Sequence, residues 1–283
     1  MDGVVVIDKA EGWTSHDVVA KFRGVAKIRR VGHLGTLDPM ATGVLPLAVG
    51  VATRLAKFYT KAEKLYEGGV RFGFATDTYD RTGEPRSEPA SFTLTLERLE
   101  DALAAFRGTV MQMPPQYSAK KVGGITAYKA ARQNIEIELQ PVEVTISELS
   151  ILAFDGTRAD LRIRCSGGTY IRSIAHDLGQ ALGCGAHLDS LRRLASGEFT
   201  IEHAKPLDGI HPASALIPLE LLVPQFASFV ADTQTAAYIR QGRHFTAPGH
   251  DGEHIRALSE TGRLIAICDR TGTELYHPSV VLA

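Results

Sequence analysis

Residues 32–43, GHLGTLDPMATG, place a single carboxylate, Asp38, in a glycine-rich loop. Pro39 favours an extended backbone at Asp38, and the glycines allow tight turns or the close approach of another backbone. The surroundings are basic, because residues 21–64 contain nine Lys or Arg and only two acidic residues. Nearby cations favour the ionised form of a carboxylate. The loop therefore presents Asp38 as a candidate acid or nucleophile.

Two other interpretations of this loop stay open on the sequence pattern alone. Asp beside Pro and Gly is common turn chemistry, so Asp38 could simply close a turn. A metal site is disfavoured because His33 and Asp38 have no third ligand at a recognisable spacing. The three cysteines are far apart, which disfavours a disulfide framework or a zinc knuckle and favours a reducing cytoplasm.

Composition describes an ordinary soluble protein with an uneven charge distribution. The 283 residues are 44% hydrophobic with a net charge of −1, enough for one large domain or one large and one small. Residues 1–140 carry 19 basic and 16 acidic groups, and the remainder 12 and 16. A phosphate-binding surface is therefore expected in the first half. The apolar run Val4–Ile7 is too short for a signal peptide or a membrane span, so we expect a cytoplasmic protein without a membrane.

Periodicity predicts a sheet with flanking helices. A helix should follow Thr14, which forms a capping-box pattern with Asp17. The predicted strands cover residues 4–8, 44–49, 66–74, 142–154 and 161–165, and further helices cover residues 96–106 and 170–182. This alternation indicates an α/β (α+β) protein.

Prolines recur between Pro206 and Pro224, and the composition changes after them. We expect a large domain at residues 1–225 and a small β-rich unit at 226–283. The small unit should contain a short helix near residues 236–240 and strands at 255–258, 264–268 and 275–281.

Three further segments carry candidate chemistry, at Tyr66, around Tyr117 and at Ser166–Arg172, although each is weak alone. Tyr66 has the pattern of a sheet residue, and Lys120 that of a solvated loop residue. Ser166–Thr169 before a helix could bind an anion or merely cap that helix. Arg172, in the first turn, is either a surface charge or a buried partner for a carboxylate.

Together these segments resemble the bacterial tRNA pseudouridine-55 synthases of the TruB type. The matching motifs follow the family's order, strongly over about the first 205 residues: Gly32–Gly43, Lys64-Leu65-Tyr66, Thr76–Asp80, Pro114–Lys120, Gly167–Arg172 and Leu191-Arg192-Arg193. The resemblance implies the pseudouridine synthase fold, with a mixed, mostly antiparallel sheet, flanking helices and a C-terminal PUA-like RNA-binding domain. It also implies isomerisation of uridine 55 in the T-loop of tRNA, by a monomer without metal or organic cofactor, and an accompanying tRNA chaperone role.

The same resemblance assigns roles to individual residues. Asp38 is the essential carboxylate, Arg172 its ion-pair partner, and Tyr66 the residue that stacks on the target base or handles the C5 proton. Because the base must leave its stack, His33 would fill the vacated space and Leu191 would line the pocket of the flipped base. The remaining residues expected at the substrate are Lys9, Lys64, Lys120, Asp80 and Tyr170.

Three rival functions remain distinguishable by experiment. A noncatalytic RNA-binding module would need the basic surface but not Asp38. A guide-RNA-dependent pseudouridine synthase shares the catalytic core but usually has a larger, more basic tail. A glycosidase would need a second carboxylate, which Asp77 or Asp80 could supply.

Overall fold

The computed structural model describes residues 1–86, 88, 91–118, 120–127, 130, 133, 135 and 137–282. The strands up to residue 218 are, in chain order, β1 (Gly3–Lys9), β2 (Val31–His33), β3 (Thr42–Val49), β4 (Lys64–Phe72), β5 (Gly108–Gln112), β6 (Lys121–Val122), β7 (Ile125–Thr126), β8 (Val142–Phe154), β9 (Arg158–Cys165), β10 (Ala186–Ser196), β11 (Phe199–Thr200), β12 (Lys205–Pro206) and β13 (Leu216–Pro218).

All of these strands except the β6–β7 hairpin form one sheet of 11 strands. Eight of them follow in the order β12-β1-β3-β10-β4-β9-β8-β5. The pairs β1–β12 and β3–β10 are parallel, and the other described pairs are antiparallel. The expected mixed, mostly antiparallel sheet is therefore confirmed.

The α-helices in the described part of the chain are α1 (Ser15–Ala26), α2 (Ala56–Tyr59), α3 (Leu96–Ala104), α4 (Ile171–Leu182) and α5 (Thr233–Arg240). The predicted capping box is confirmed, since Thr14 accepts from the Asp17 amide and the Asp17 side chain accepts from Thr14. The apolar faces of α3 and α4 pack into the same core as β4 and β9. No described helix has the length and apolar character needed to cross a membrane.

A second, smaller sheet follows at the C-terminal end. It consists of β14 (Ala227–Ala231), β15 (Phe245–Thr246), β16 (His254–Ser259), β17 (Leu264–Arg270) and β18 (Leu275–Val281), in the order β14-β16-β17-β18-β15. Leu264 and Leu282 share a buried cluster with Leu55 and Tyr59 of the larger part. The two parts therefore share buried contacts, and the division into domains 1–225 and 226–283 stays a prediction.

One glycine of the opening loop is needed for packing within the chain itself. Gly43 has φ +98°, and a Cβ there would lie 2.2 Å from the Arg193 carbonyl oxygen on β10. The close approach at this glycine is therefore to a neighbouring strand. Gly32, in contrast, has open space where a Cβ would stand.

We expect Gly43→Ala to lower the free energy of unfolding by more than about 3 kcal/mol, because it adds a clash to an unfavourable φ. Gly32→Ala is the matched control and should change it by less than about 0.5 kcal/mol. Urea denaturation of both variants measures the difference. Equal unfolding midpoints for Gly43→Ala and the wild type would contradict the close packing against β10.

Candidate active site

The loop carboxylate and the helix arginine meet as a bidentate ion pair. Arg172 lies in the first turn of α4, where it is only 5% exposed. Its Nε donates to Asp38 Oδ2 at 2.8 Å, and its Nη2 donates to Asp38 Oδ1 at 3.1 Å. The Asp38 side chain is 35% exposed, so the carboxylate is fixed on one side and accessible on the other. This arrangement presents an oriented anion to a substrate.

Arg172 also ties two other loops to Asp38. Its Nη1 donates to the Thr78 carbonyl at 3.0 Å, and its Nη2 donates to the Tyr117 carbonyl at 2.9 Å. A second carboxylate, Asp80, places Oδ2 at 3.7 Å from Arg172 Nε. Three of the segments singled out in the sequence therefore converge on one buried guanidinium.

Asp80 is held by internal contacts. Its Oδ1 accepts from Thr78 Oγ1 at 2.8 Å, from the Thr82 amide at 3.0 Å and from Thr82 Oγ1 at 2.6 Å. The residue is buried, which is at odds with the expected direct contact to RNA. Asp77 uses Oδ1 to accept from the Glu84 amide at 2.8 Å. Asp80 is buried and Asp77 already accepts a backbone hydrogen bond, which disfavours both as the second carboxylate of a glycosidase.

Tyr66 lies on β4 between β9 and β10, opposite Ile163 and Arg193. Burial raises the pKa of Tyr66, with the Arg193 guanidinium opposing that shift. The phenol is therefore neutral at physiological pH. A neutral phenol can stack on a base, but it cannot accept a proton as readily as a phenolate would.

Arg193 is a site residue whose role the sequence did not reveal. It is 1% exposed, and its guanidinium donates to the carbonyls of Val44 at 2.7 Å, Gly35 at 3.0 Å and Thr36 at 3.2 Å. These bonds fix the segment that leads to Asp38. The sequence signal for Arg193 was its place in the family-matching motif Leu191-Arg192-Arg193, which does not report the carbonyls that it binds.

Two lysines expected at RNA phosphates are instead buried. Lys9 Nζ donates to the carbonyls of Ala10 at 2.9 Å, Trp13 at 2.7 Å and Pro39 at 3.2 Å. Lys64 Nζ donates to the carbonyls of Ala62 at 2.6 Å and Thr60 at 3.3 Å. This placement is at odds with a phosphate contact, because the ammonium groups already hold backbone carbonyls. Lys9 thereby fixes Pro39, the residue after Asp38.

The buried Lys9 makes stability depend on pH. Burial lowers the pKa of Lys9 from 10.5 to about 8, with Asp38 opposing. Between these two values the unfolded chain binds more protons than the folded one, so this residue makes stability rise with pH. When the free energy of unfolding is plotted against pH, we expect the slope to be more positive for the wild type than for Lys9→Met. The difference in slope should reach at most about 1.4 kcal/mol per pH unit.

Denaturation curves recorded at intervals from pH 8 to 10.5 measure this difference. Lys21→Met, a change at an exposed lysine of α1, is the matched control and should leave the slope unchanged. If Lys9→Met and the wild type have parallel pH profiles, Lys9 does not titrate in this window.

Two other residues predicted at the substrate, Leu191 and His33, lie on β10 and β2. Leu191 lies on β10, where it lines a cleft of about 450 Å³ together with Met40, Thr42 and Gly68. Burial is the main cause that lowers the pKa of His33, and the nearby charges of Arg193 and His16 lower it further. The buried Nδ1 of His33 has no hydrogen-bond partner among the described residues.

The predicted residues Tyr170 and Lys120 lie in the segments next to Arg172. Tyr170 is the N-cap of α4, and Lys120 is half-buried at the end of the Pro114–Lys120 segment. Gln112 was not predicted, yet its buried amide donates to the Tyr170 carbonyl at 3.0 Å and accepts from the Tyr170 amide at 2.8 Å. These two bonds fix the start of the helix that carries Arg172.

Two family models together match residues 23–217. A model described as TruB family pseudouridylate synthase (N terminal domain) matches residues 23–171. A second, described as tRNA pseudouridylate synthase B C-terminal domain, matches residues 172–217. The small C-terminal sheet lies outside both matches.

Curated relatives and solved structures extend the comparison. Two relatives are named tRNA pseudouridine synthase B: one from Solibacter usitatus (strain Ellin6076), 55% identical over 293 residues with 100% of both chains covered, and one from Azoarcus sp. (strain BH72), 42% identical over 274 residues with 94% of this chain and 90% of that one. An H/ACA RNP bound to a substrate RNA containing 2'-deoxyuridine has a chain of the same fold. It has a TM-score of 0.75 at 23% identity and covers 99% of this chain and 85% of its own.

A Cbf5-Nop10-Gar1 complex gives a TM-score of 0.74 at 26% identity, with 96% of this chain and 79% of that chain covered. The expected pseudouridine synthase fold is confirmed. The family models and the full-length relatives show that the chain belongs to the TruB family of pseudouridine synthases.

Proposed function

We propose that this protein isomerises uridine 55 in the T-loop of tRNA to pseudouridine, and that Asp38 is the essential catalytic carboxylate. The observation that carries the proposal is the bidentate Asp38–Arg172 pair, with the carboxylate still accessible from one side. The names of the full-length relatives support tRNA as the substrate.

The reaction breaks the bond between N1 of uracil and C1' of ribose and forms a bond between C5 and C1'. A proton leaves C5 and N1 gains one, so no oxidant or cofactor is required. An ionised carboxylate can attack the sugar, add to the base or remove a sugar proton. Arg172 serves each of these routes, because it orients the carboxylate without occupying its open side.

The target nucleotide must leave its stack to reach Asp38, at a cost of a few kcal/mol. Tyr66 would stack on the flipped base, and Leu191 would line its pocket. His33 would occupy the space that the base vacates. Its unpartnered, buried Nδ1 agrees with a position that substrate binding completes.

Phosphate contacts are best assigned to exposed cations. Eight of the nine Lys and Arg between residues 21 and 64 are exposed, and Lys64 is the exception. They include the Lys27–Arg30 turn that follows α1. Such a surface positions RNA through its backbone, so tRNA affinity should fall steeply with salt. Recognition would then depend mainly on the shape of the T-arm.

Unmodified tRNA transcript incubated with the protein tests the proposal, with pseudouridine mapped by nucleotide position. We expect one modified site in the T-loop, and the same yield with EDTA. Modification at another position would contradict the substrate assignment. Release of free uracil would instead favour a glycosidase. Size-exclusion chromatography with light scattering tests the proposed monomer in the same preparation.

A further inference from the structure

An unusual backbone conformation lies between two of the groups that contact Arg172. Tyr79 has φ +65°, in the left-handed region that glycine, Asn and Asp fill most readily. The preceding residue supplies the Thr78 carbonyl to Arg172, and the following residue is Asp80. Strained residues persist only where their surroundings hold them in place. The surroundings of Tyr79 therefore bear on the geometry of the active site.

The Tyr79 side chain is held by a ring on the helix that carries Arg172. Its phenol stacks on the His176 imidazole, with centroids 3.7 Å apart and planes 11° from parallel. His176 lies four residues after Arg172 on α4, so the two share a helix face. Burial, and to a smaller degree the Asp177 carboxylate, raises the pKa of Tyr79. Burial lowers the pKa of His176. Both rings are therefore neutral at physiological pH.

The backbone of the same turn is tied to β10. The Leu188 amide donates to the Tyr79 carbonyl at 2.9 Å, and the Arg81 amide donates to the Leu188 carbonyl at 2.9 Å. These bonds fix one side of the turn, and the ring stack fixes the other against α4. Thr78 and Asp80, which both contact Arg172, are the direct chain neighbours of the attached Tyr79.

We propose that Tyr79 and His176 are positioning residues for the isomerisation, and that their stack holds the Thr78–Asp80 turn so that it keeps Arg172 aimed at Asp38. This inference rests on the proposed function and deepens it. Neither ring touches Asp38, so the effect on the reaction passes through Arg172. If Arg172 is held less firmly, it orients the Asp38 carboxylate less firmly. This slows the chemical step more than it weakens RNA binding.

Tyr79→Gly separates positioning from simple packing, because glycine relaxes the backbone strain and removes the ring. If the stack only adds stability, the relieved strain offsets part of its loss and the rate stays unchanged. If the stack positions Arg172, kcat should fall about three- to tenfold while KM and the tRNA Kd stay within twofold. Tyr79→Phe keeps the ring and should match the wild type within twofold.

His176→Ala should lower kcat to the same degree as Tyr79→Gly, and the double variant should be no slower than either single one. Wild-type activity on tRNA is measured in parallel and tests the proposed function separately. The Arg172 Nε–H resonance gives a readout independent of activity: its exchange with solvent should quicken in Tyr79→Gly but not in Tyr79→Phe. Unchanged kcat and exchange in Tyr79→Gly, or equal losses in Tyr79→Phe, would overturn the proposal.

Discussion

Asp38→Asn is expected to abolish pseudouridine formation, with a loss of at least about 10³-fold in single-turnover rate, while the tRNA Kd stays within about twofold. Asn preserves the size of the side chain but removes the charge. A carboxamide can neither attack a carbon as a nucleophile nor accept a proton as a base. The prediction therefore holds for each of the routes open to Asp38.

The surroundings of Asp38 explain why the variant should still fold and bind. The side chain is partly exposed and packs at the end of a loop fixed by Arg193 and Lys9. The Asn amide oxygen can accept one of the two Arg172 donors, so one contact survives. Thermal melting and filter binding of the variant check both points.

The control for this experiment is Asp77→Asn, a matched change at a carboxylate that accepts from the Glu84 amide. We expect its rate to stay within about threefold of the wild type. If Asp77→Asn is as inactive as Asp38→Asn, a two-carboxylate mechanism becomes the better explanation. If Asp38→Asn still converts uridine, the catalytic assignment is wrong.

The same variant separates catalysis from the proposed tRNA chaperone role. We expect that role to depend on the exposed basic surface and not on Asp38. Asp38→Asn should therefore still speed the refolding of a misfolded tRNA. Loss of refolding together with loss of isomerisation would mean that both depend on the chemical step.

Local sequence patterns predicted the elements that have clear periodicity or caps. The capping box at Thr14 and the apolar face of α1 define a helix in a few residues, and strand β18 matches its predicted bounds. The meeting of Asp38 and Arg172, 134 positions apart, came from the family resemblance. No local pattern reports a contact over that distance.

The central strand β10 was missed for a physical reason. It carries polar and charged residues on both faces, because Arg192 pairs with Asp8 at 2.8 Å while Arg193 points into the interior. Alternation of apolar and polar residues is therefore absent. The burial of Lys9 and Lys64 was not evident from the sequence for a related reason, since a buried lysine depends on carbonyls that only the folded loops supply.

Arg172→Lys should lower kcat by about 10²- to 10³-fold although the positive charge is retained. The planar guanidinium of Arg172 donates four hydrogen bonds, two to Asp38 and one each to the carbonyls of Thr78 and Tyr117. A lysine ammonium is a single point that cannot reach all of these acceptors. Asp38 then loses its second bond, and at least one buried carbonyl loses its donor.

The matched control is Arg162→Lys, because Arg162 pairs with Glu67 at 2.6 Å on the exposed face of the sheet, with side-chain exposures of 41% and 37%. A surface pair of this kind contributes at most about 1 kcal/mol, and it does not touch Asp38. Its kcat should therefore equal that of the wild type. Single-turnover rates and tRNA Kd values for both variants give the comparison. An Arg172→Lys rate within threefold of the wild type would show that charge alone suffices and that the bidentate geometry does not direct Asp38.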